Sequence, residues 1–490
     1  MTGQARNASP RPPVVVVMGH VDHGKTTLLD YIRKTNVAER EAGAITQAIR
    51  AYEIEHRTSN AERAHNITFI DTPGHEAFSK MRATGATVAD LAILVVAADE
   101  SVKPQTLEAI KILHESKIPF VVAITKVDKP GANVEKTRNE LAAAGVLLEG
   151  YGGQVPYHGV SSKTGEGINE LLDLVLLAAE VEGLIYDPAA PASGFILEAH
   201  MDSRRGLNAT VIVKDGVLCE GVEMHTRSAH GKVKILENFL GERVTELRPS
   251  APALIFGFEA LPRVGEHFSA DPARLGEPAP VAEGIRPPAK LPPQEAAKET
   301  EEVRLILKAA DAGSLEALSL TIRALKTEKP VVVVAESLGD ISDGDVKLAI
   351  ASGARVAGFK VKVAAGAKNL ARAHGVVLIT SAVIYELVRS IEDMLAASGE
   401  EAAAGELEVL AVFSRAKAGK QTVGGKVTKG MVRNKAAFAV KRGETVAGKG
   451  RVLSLQSQKK GVHEVREGNE AGLAVHASVM IEKGDLLLMQ

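Results

Sequence analysis

Gly19-His20-Val21-Asp22-His23-Gly24-Lys25-Thr26 follows the β-branched run Val14–Val17 and leads into Thr26–Lys34, which carries Leu28, Leu29 and Ile32 at helical spacing. A strand that passes through two glycines into a helix predicts a phosphate loop. Gly19 and Gly24 free the backbone to point consecutive N–H groups at phosphate oxygens, and the positive end of the helix adds to the field. Lys25 is placed to reach the β and γ phosphates, and Thr26 to offer its hydroxyl to Mg²⁺. With Thr27, all of these loop residues are candidate nucleotide contacts. His20 and His23 also have the spacing of an H-x-x-H metal pair, but no third ligand is near them in sequence and the phosphate loop already explains their setting.

Further strands are expected at Ile67–Ile70, Leu91–Val96, Phe120–Thr125 and Val155–His158, separated by amphipathic stretches at Pro104–Ser116, Val134–Ala144 and Gly167–Glu180. This alternation predicts a mostly parallel sheet covered on both faces, with ligands bound where the strands end. Asp71-Thr72-Pro73-Gly74 closes one of these strands, so Asp71 is expected to hold Mg²⁺ through water and the Gly74 N–H to meet a γ-phosphate. His75 comes next and is the candidate to orient the attacking water. In the segment Ala42–Gln47, Thr46 is the candidate second hydroxyl on the metal. Thr125-Lys126-Val127-Asp128 again sits at a strand end, where Asp128 would accept from the guanine N1–H and exocyclic amine, a donor pair that adenine lacks. Ser161-Ser162-Lys163 is expected to supply a backbone N–H for the guanine carbonyl and a lysine stem over the base. Four motifs in this order predict a GTPase, with water attacking the γ-phosphate.

The 490 residues exceed what one core supports, so three or four domains are expected. An apolar content of 45% with 24% charge is that of a globular chain, and no apolar run approaches the roughly 20 residues that span a bilayer. Met1–Pro13 is polar with no apolar h-region and reads as a loose lead-in, which predicts a cytoplasmic protein. The single cysteine, Cys219, excludes an internal disulfide. Net charge is −2, yet residues 411–460 hold thirteen Lys or Arg against Glu444 alone. An imbalance sustained over that length asks for an anionic partner, and nucleic acid is the expectation.

The predicted architecture is α/β multidomain. It has a lead-in at 1–13, a Ras-like P-loop GTPase domain at 14–186, a β-barrel at 192–270 where apolar spacing becomes short and alternating, and a proline-rich linker at 271–300 that gives way to a helix near Glu295–Glu301. A parallel α/β domain follows at 301–380, then a connecting helix at 381–400 and a basic C-terminal β-barrel at 405–490. Gly313 opens a helix of the third domain as a phosphate loop would, but without G-x-G-x-x-G around it a structural role is expected. Tyr385 and Met394 on the connecting helix read as packing residues. Phosphate attraction should dominate at the last barrel, where Phe413 and Phe438 are the aromatics.

Gly19–Thr26 together with Asp71-Thr72-Pro73-Gly74-His75-Glu76-Ala77-Phe78 resembles the translational GTPases, and within them the bacterial translation initiation factor 2 family. Glu41-Ala42-Gly43-Ala44-Ile45-Thr46-Gln47 is similar to that family's first switch, Gly313-Ser314-Leu315-Glu316-Ala317 to its third domain and Gly424–Gly430 to its last barrel, so the resemblance covers residues 13–490. It implies that His75 positions water once large-subunit RNA reaches it, past an apolar gate of Val21 and Ile45. The partners implied are both ribosomal subunits and initiator tRNA, bound by a monomer that promotes subunit joining and leaves on hydrolysis, with Lys426, Lys429, Arg433, Lys459 and Lys460 as the tRNA contacts. An elongation-type tRNA carrier, and a ribosome-associated GTPase that carries no formylated tRNA, remain as alternatives.

The chain departs from the family pattern at several places. Gly43-Ala44 replaces Gly-Gly, and Thr125 replaces Asn, which predicts weaker nucleotide binding. Gly424-Gly425 replaces Gly-Cys, Gln456-Ser457-Gln458-Lys459 replaces Arg-Arg-Phe-Lys, and Ala471 stands at a second cysteine position, so weak discrimination of formyl-methionine is expected. The long N-terminal region of many members is not in this sequence, and small-subunit anchoring through one is not expected.

Overall fold

Every residue of Val14–Gly19, the first sheet strand β1, is buried, as a central parallel strand covered on both faces requires. The structure is a computed structural model that describes residues 8–35, 46–58, 64–202, 205–275, 302–325, 327, 330–400, 405–415, 420–434, 436–443, 445–457 and 460–489. Around β1 lie β2 (Arg50–His56), β3 (His65–Asp71), β4 (Leu91–Ala97), β5 (Phe120–Thr125) and β6 (Tyr157–Gly159), in the order β2-β3-β1-β4-β5-β6. Helices α1 (Lys25–Arg33), α2 (Ser79–Val88), α3 (Pro104–Ser116), α4 (Val134–Ala143) and α5 (Ile168–Glu182) cover the two faces. Val15, Leu28, Phe69, Ile93, Val121 and Leu171 belong to one continuous core. β2 was not anticipated, and it pairs antiparallel with β3 at the edge. β6 starts two residues later than expected, because Val155 instead bridges to Leu148, donating its N–H to the Leu147 carbonyl at 3.2 Å.

The lead-in is not loose where the structure describes it. Ser9–Pro10 pairs with Ile185–Tyr186, and the Arg11 guanidinium forks onto Asp90 at 2.6 and 2.7 Å. Asp90 also takes the Lys214 ammonium at 2.7 Å and the Val14 N–H at 2.9 Å, which ties the lead-in, the nucleotide domain and the following barrel to one carboxylate. Burial alone would raise the Asp90 pKa, but Arg11 and Lys214 outweigh it and hold the carboxyl below its ordinary value.

That barrel is closed by β7 (Ser193–Asp202), β8 (Gly206–Asp215), β9 (Glu223–His225), β10 (His230–Asn238), β11 (Pro252–Phe258) and β12 (His267–Ser269), in the ring β8-β11-β10-β9-β12-β7. The next region carries β13 (Val303–Ala309), α6 (Ala312–Ala324), β14 (Val331–Leu338), α7 (Asp343–Ser352), β15 (Arg355–Phe359), α8 (Ala365–His374) and β16 (Leu378–Ser381). Its sheet is all parallel in the order β14-β13-β15-β16. Gly313, in the first turn of α6, has the expected structural role. A Cβ there would stand 2.4 Å from Met81 Cε, and its N–H donates to the buried Glu198 Oε1 at 3.1 Å. Asp311 caps the same helix end through the Ser314 N–H at 2.6 Å. The helix expected near Glu295–Glu301 lies outside the described residues.

Helix α9 (Ile384–Glu400) leads to the last region, and the chain divides into two compact units at residues 1–391 and 392–490. In the second unit, β17 (Glu406–Arg415), β18 (Lys420–Lys429), β19 (Ala437–Arg442), β20 (Thr445–Ser457), β21 (Glu470–Ala477) and β22 (Leu486–Met489) run β19-β22-β17-β18-β21-β20, and β20 pairs back onto β19 to close a barrel. Val423, Val452, Leu473, Val475 and Leu487 fill it. Among the described residues, no helix is long and apolar enough to cross a membrane.

The Asp90 junction gives a stability prediction. Asp90→Ala leaves Arg11 and Lys214 as unpaired, largely buried cations and should destabilise residues 1–391 by about 3–5 kcal/mol, read as a lower melting transition in calorimetry. The stabilisation should hold above the ordinary carboxyl value of 3.8 and fade as pH falls through the lower folded value, since protonation removes the partner charge. A melting transition that does not move in the variant would show that water, not Asp90, satisfies these cations.

Candidate functional site

Gly19 ends β1 because nothing larger fits: a Cβ would stand 2.3 Å from the Val95 carbonyl oxygen. The turn continues with Asp22 at φ 64° and Gly24 at φ 86°, left-handed conformations that aim successive N–H groups inward. Helix α1 has no side-chain cap and no acid in its first turn, so its N–H donors are left for an anion. The loop opens into a pocket of about 320 Å³ at the carboxyl ends of β1, β3 and β5. Lys25 is buried there, with Nζ donating to the Gly19 and His20 carbonyls at 3.0 and 2.7 Å. Burial pushes its pKa down to about 8, with Asp71 pulling the other way.

The phosphate end of the pocket is lined by Val21, Asp22, Gly24, Lys25, Thr26, Thr27, Thr46, Gly74 and His75. Gly74 passes so near Lys25 that a Cβ would stand 2.4 Å from Nζ. Thr26 and Thr46 place their hydroxyl oxygens 2.7 Å apart. Those hydroxyls, and the Asp71 carboxylate, which is buried near Lys25 and does not itself line the pocket, are oxygen donors of the kind that suits Mg²⁺. His20 and His23 do not line the pocket. Their rings meet edge to face at 4.9 Å, and burial, then the nearby His20 and Lys25, hold His23 neutral with a pKa of about 4.

The segment after β3 is fixed by its backbone. Thr72 Oγ1 donates to the Val17 carbonyl at 2.8 Å. Arg82, 1% exposed, donates to the Pro73 carbonyl at 3.0 Å and also to the His75 carbonyl, while its other nitrogen pairs with Glu108 at 2.6 Å. Arg82 thus holds the loop rather than facing the phosphates. His75 Nδ1 accepts the Ala77 N–H at 3.1 Å, and burial lowers its pKa, so the ring is neutral.

At the other end, Thr125, Lys126, Asp128, Ser162 and Lys163 line the pocket. Ser161 is buried and does not. Its hydroxyl donates to Asp128 Oδ1 at 2.7 Å and its N–H to the Glu166 carbonyl at 3.0 Å, so it orients Asp128 while the base-facing N–H is left to Ser162 or Lys163. Thr125 Oγ1 donates to the His23 carbonyl at 2.6 Å, so the hydroxyl ties this motif to the phosphate loop. Lys129, which sequence reasoning missed, also lines the pocket and pairs with Asp99 at 2.7 Å. So does Tyr385, read from sequence as packing, and neither its helix nor its spacing carried a signal for that place.

Glu41–Ile45 lies outside the described residues, as do Gln458 and Lys459 and the side chain of Lys460. In the second unit Lys426, Lys429 and Arg433 are exposed, each with a glutamate in register: Lys426 beside Glu408 and Glu470, Lys429 beside Glu406, Arg433 beside Glu464. Gly425 pairs with Ala471, and a Cβ on it would stand 2.4 Å from Leu407 Cδ2, so no side-chain cavity exists at this position.

Asp128→Asn tests the base end. The exchanged amide complements a carbonyl at the base C2, so competition assays should show preference moving from guanine toward xanthine nucleotides; undiminished guanine preference would remove Asp128 from base recognition.

Compared with known families, residues 11–180 match the Elongation factor Tu GTP binding domain, 191–271 the Elongation factor G domain 2 and 290–392 the Translation-initiation factor 2 family. Translation initiation factor IF-2 of Rubrobacter xylanophilus is 41% identical over 495 residues, covering 97% of this chain and 71% of its own length. The protein of that name from Prochlorococcus marinus strain NATL2A is 42% identical over 497 residues, and there the match covers 42% of the relative. The crystal structure of GDP-bound aIF5B from Aeropyrum pernix is 27% identical, covers 98% of this chain and 92% of that one, and has a TM-score of 0.48. With these relatives, a GTP-binding domain over residues 11–180 and a pocket at its phosphate loop, the chain belongs to the translation initiation factor IF-2 family of GTPases.

Proposed function

We propose that this chain, with GTP bound, joins the ribosomal subunits in the presence of initiator tRNA and leaves when the γ-phosphate is hydrolysed. The observation that carries the reading is the place of His75, at the phosphate end of the pocket directly after Gly74, in a chain of the IF-2 family. Lys25 draws its ammonium to the β and γ oxygens, and the Gly74 N–H reports whether the γ-phosphate is present. Thr26, Thr46 and, through water, Asp71 would hold Mg²⁺, which would supply positive charge against the charge that develops on the phosphate oxygens. His75, neutral, orients the water in line with the γ-phosphorus. Asp128, aimed by Ser161, selects guanine. The protein acts as a cytoplasmic monomer.

Hydrolysis by the free protein should be slow, on the order of 10⁻⁴ to 10⁻² per second, and ribosomes should accelerate it by about 10³-fold or more. His75→Ala should remove most of the ribosome-stimulated turnover and leave GTP binding intact. Stimulated turnover that survives the substitution removes His75 from the mechanism.

The C-terminal barrel holds the tRNA acceptor end mainly by charge, through Lys426, Lys429, Arg433, Lys459 and Lys460. Support for weak discrimination of formyl-methionine comes from Gly425, where Leu407 fills the space a pocket would need. Filter binding should therefore give similar affinities for formylated and unformylated initiator tRNA. Affinity should fall by about 0.7–0.9 log unit per log unit of salt for each phosphate contact. Lys426→Ala with Lys429→Ala should weaken all tRNAs alike and flatten that slope. A formyl preference that persists at high salt contradicts this account of the barrel.

A further inference from the structure

The Tyr385 ring stands edge-on to His75, with centroids 4.5 Å apart and planes at 88°, and both rings line the nucleotide pocket. Tyr385 is not a loose surface side chain. The N–H of its neighbour Ile384 donates to Gln47 Oε1 at 3.1 Å, and Gln47 Nε2 donates back to the Ala382 carbonyl at 3.0 Å. Lys360 Nζ donates to the Gln47 carbonyl at 2.8 Å, and Gln47 itself is 3% exposed. Gln47 directly follows Thr46, whose hydroxyl meets that of Thr26. The start of α9, which carries Tyr385, is therefore fastened to one switch segment by hydrogen bonds and to the other by an aromatic contact. His75 Nδ1 is already used by the Ala77 N–H, so Nε2 is the ring nitrogen left for water, on a ring whose position the Tyr385 contact helps to set.

We propose that Tyr385 is a positioning residue that holds the His75 ring out of line for hydrolysis, so that turnover by the free protein is restrained until contact with a partner draws the start of α9 away. The proposal rests on His75 as the residue that orients water. An edge-to-face pair is worth enough to change a rate by about three- to tenfold, and that is the size of restraint expected here.

The test is steady-state GTP hydrolysis by the full chain without ribosomes, paired with fluorescent-nucleotide binding. Tyr385→Ala should raise kcat about three- to tenfold while KM and GDP affinity move less than twofold. Tyr385→Phe keeps the ring edge and should restore the slow rate, and Arg389→Ala, an exposed change one turn along α9, should match the wild type. The gain must pass through His75, so Tyr385→Ala combined with His75→Ala should fall to the rate of His75→Ala alone. A kcat for Tyr385→Ala that is unchanged or lower, a change confined to KM, or a gain that survives loss of His75 overturns the proposal. Ribosome-stimulated turnover that is insensitive to His75→Ala instead overturns the role given to His75, so the two failures are separable.

Discussion

A lysine ammonium taken out of water must be surrounded by oxygen, and the cage around Lys25 dictates much of the nucleotide domain. The carbonyls of Gly19 and His20 close on Nζ, so β1 has to end where it does and the chain has to turn through left-handed backbone at Asp22 and Gly24. Gly19 lies against β4 and Gly74 against Nζ itself, and in both places a Cβ has no room. Burial lowers the Lys25 pKa, and the Asp71 carboxylate works against that loss of charge. A cation held in this way, ringed by N–H donors at an uncapped helix end, is a preorganised seat for phosphate.

From that seat, buried polar contacts run outward to the rest of residues 1–391. Asp90 gathers the lead-in and the first barrel, Glu198 receives the Gly313 N–H from the third region, and Gln47 receives the turn before α9. None of these groups is cheap to bury alone, since an unpaired donor or carboxylate in the interior costs several times what a satisfied one returns. Together they specify one arrangement of the three regions and place both switch segments under elements drawn from distant parts of the chain.

This explains what was legible in the sequence. Local features announce themselves: Val14–Val17, Leu91–Val96 and Phe120–Thr125 read as buried strands, and the phosphate loop and the motifs at Asp71 and Asp128 each stand at a strand end. The alternation of Tyr52, Ile54 and His56 on β2 is a weaker signal, because its polar outer face does not resemble the all-apolar parallel strands beside it. Ser161 looked like a base contact and proves to orient Asp128, a distinction that depends on where its N–H goes. Gln47 and Tyr385 were beyond reach, since their partners are chosen by packing between regions and leave no periodicity at either end. Thr125, taken from sequence as a weakened motif, keeps a hydroxyl that reaches the His23 carbonyl and holds the base end to the phosphate end.

A pocket that pairs a phosphate seat at Lys25 with a guanine reader at Asp128 must separate GTP from ATP. Displacement of a fluorescent guanine nucleotide from the wild-type chain by unlabelled GTP and ATP tests it most directly. GTP should compete at least about 10³-fold more strongly than ATP, since adenine leaves the Asp128 carboxylate without its donors; equal competition by the two nucleotides would contradict the account.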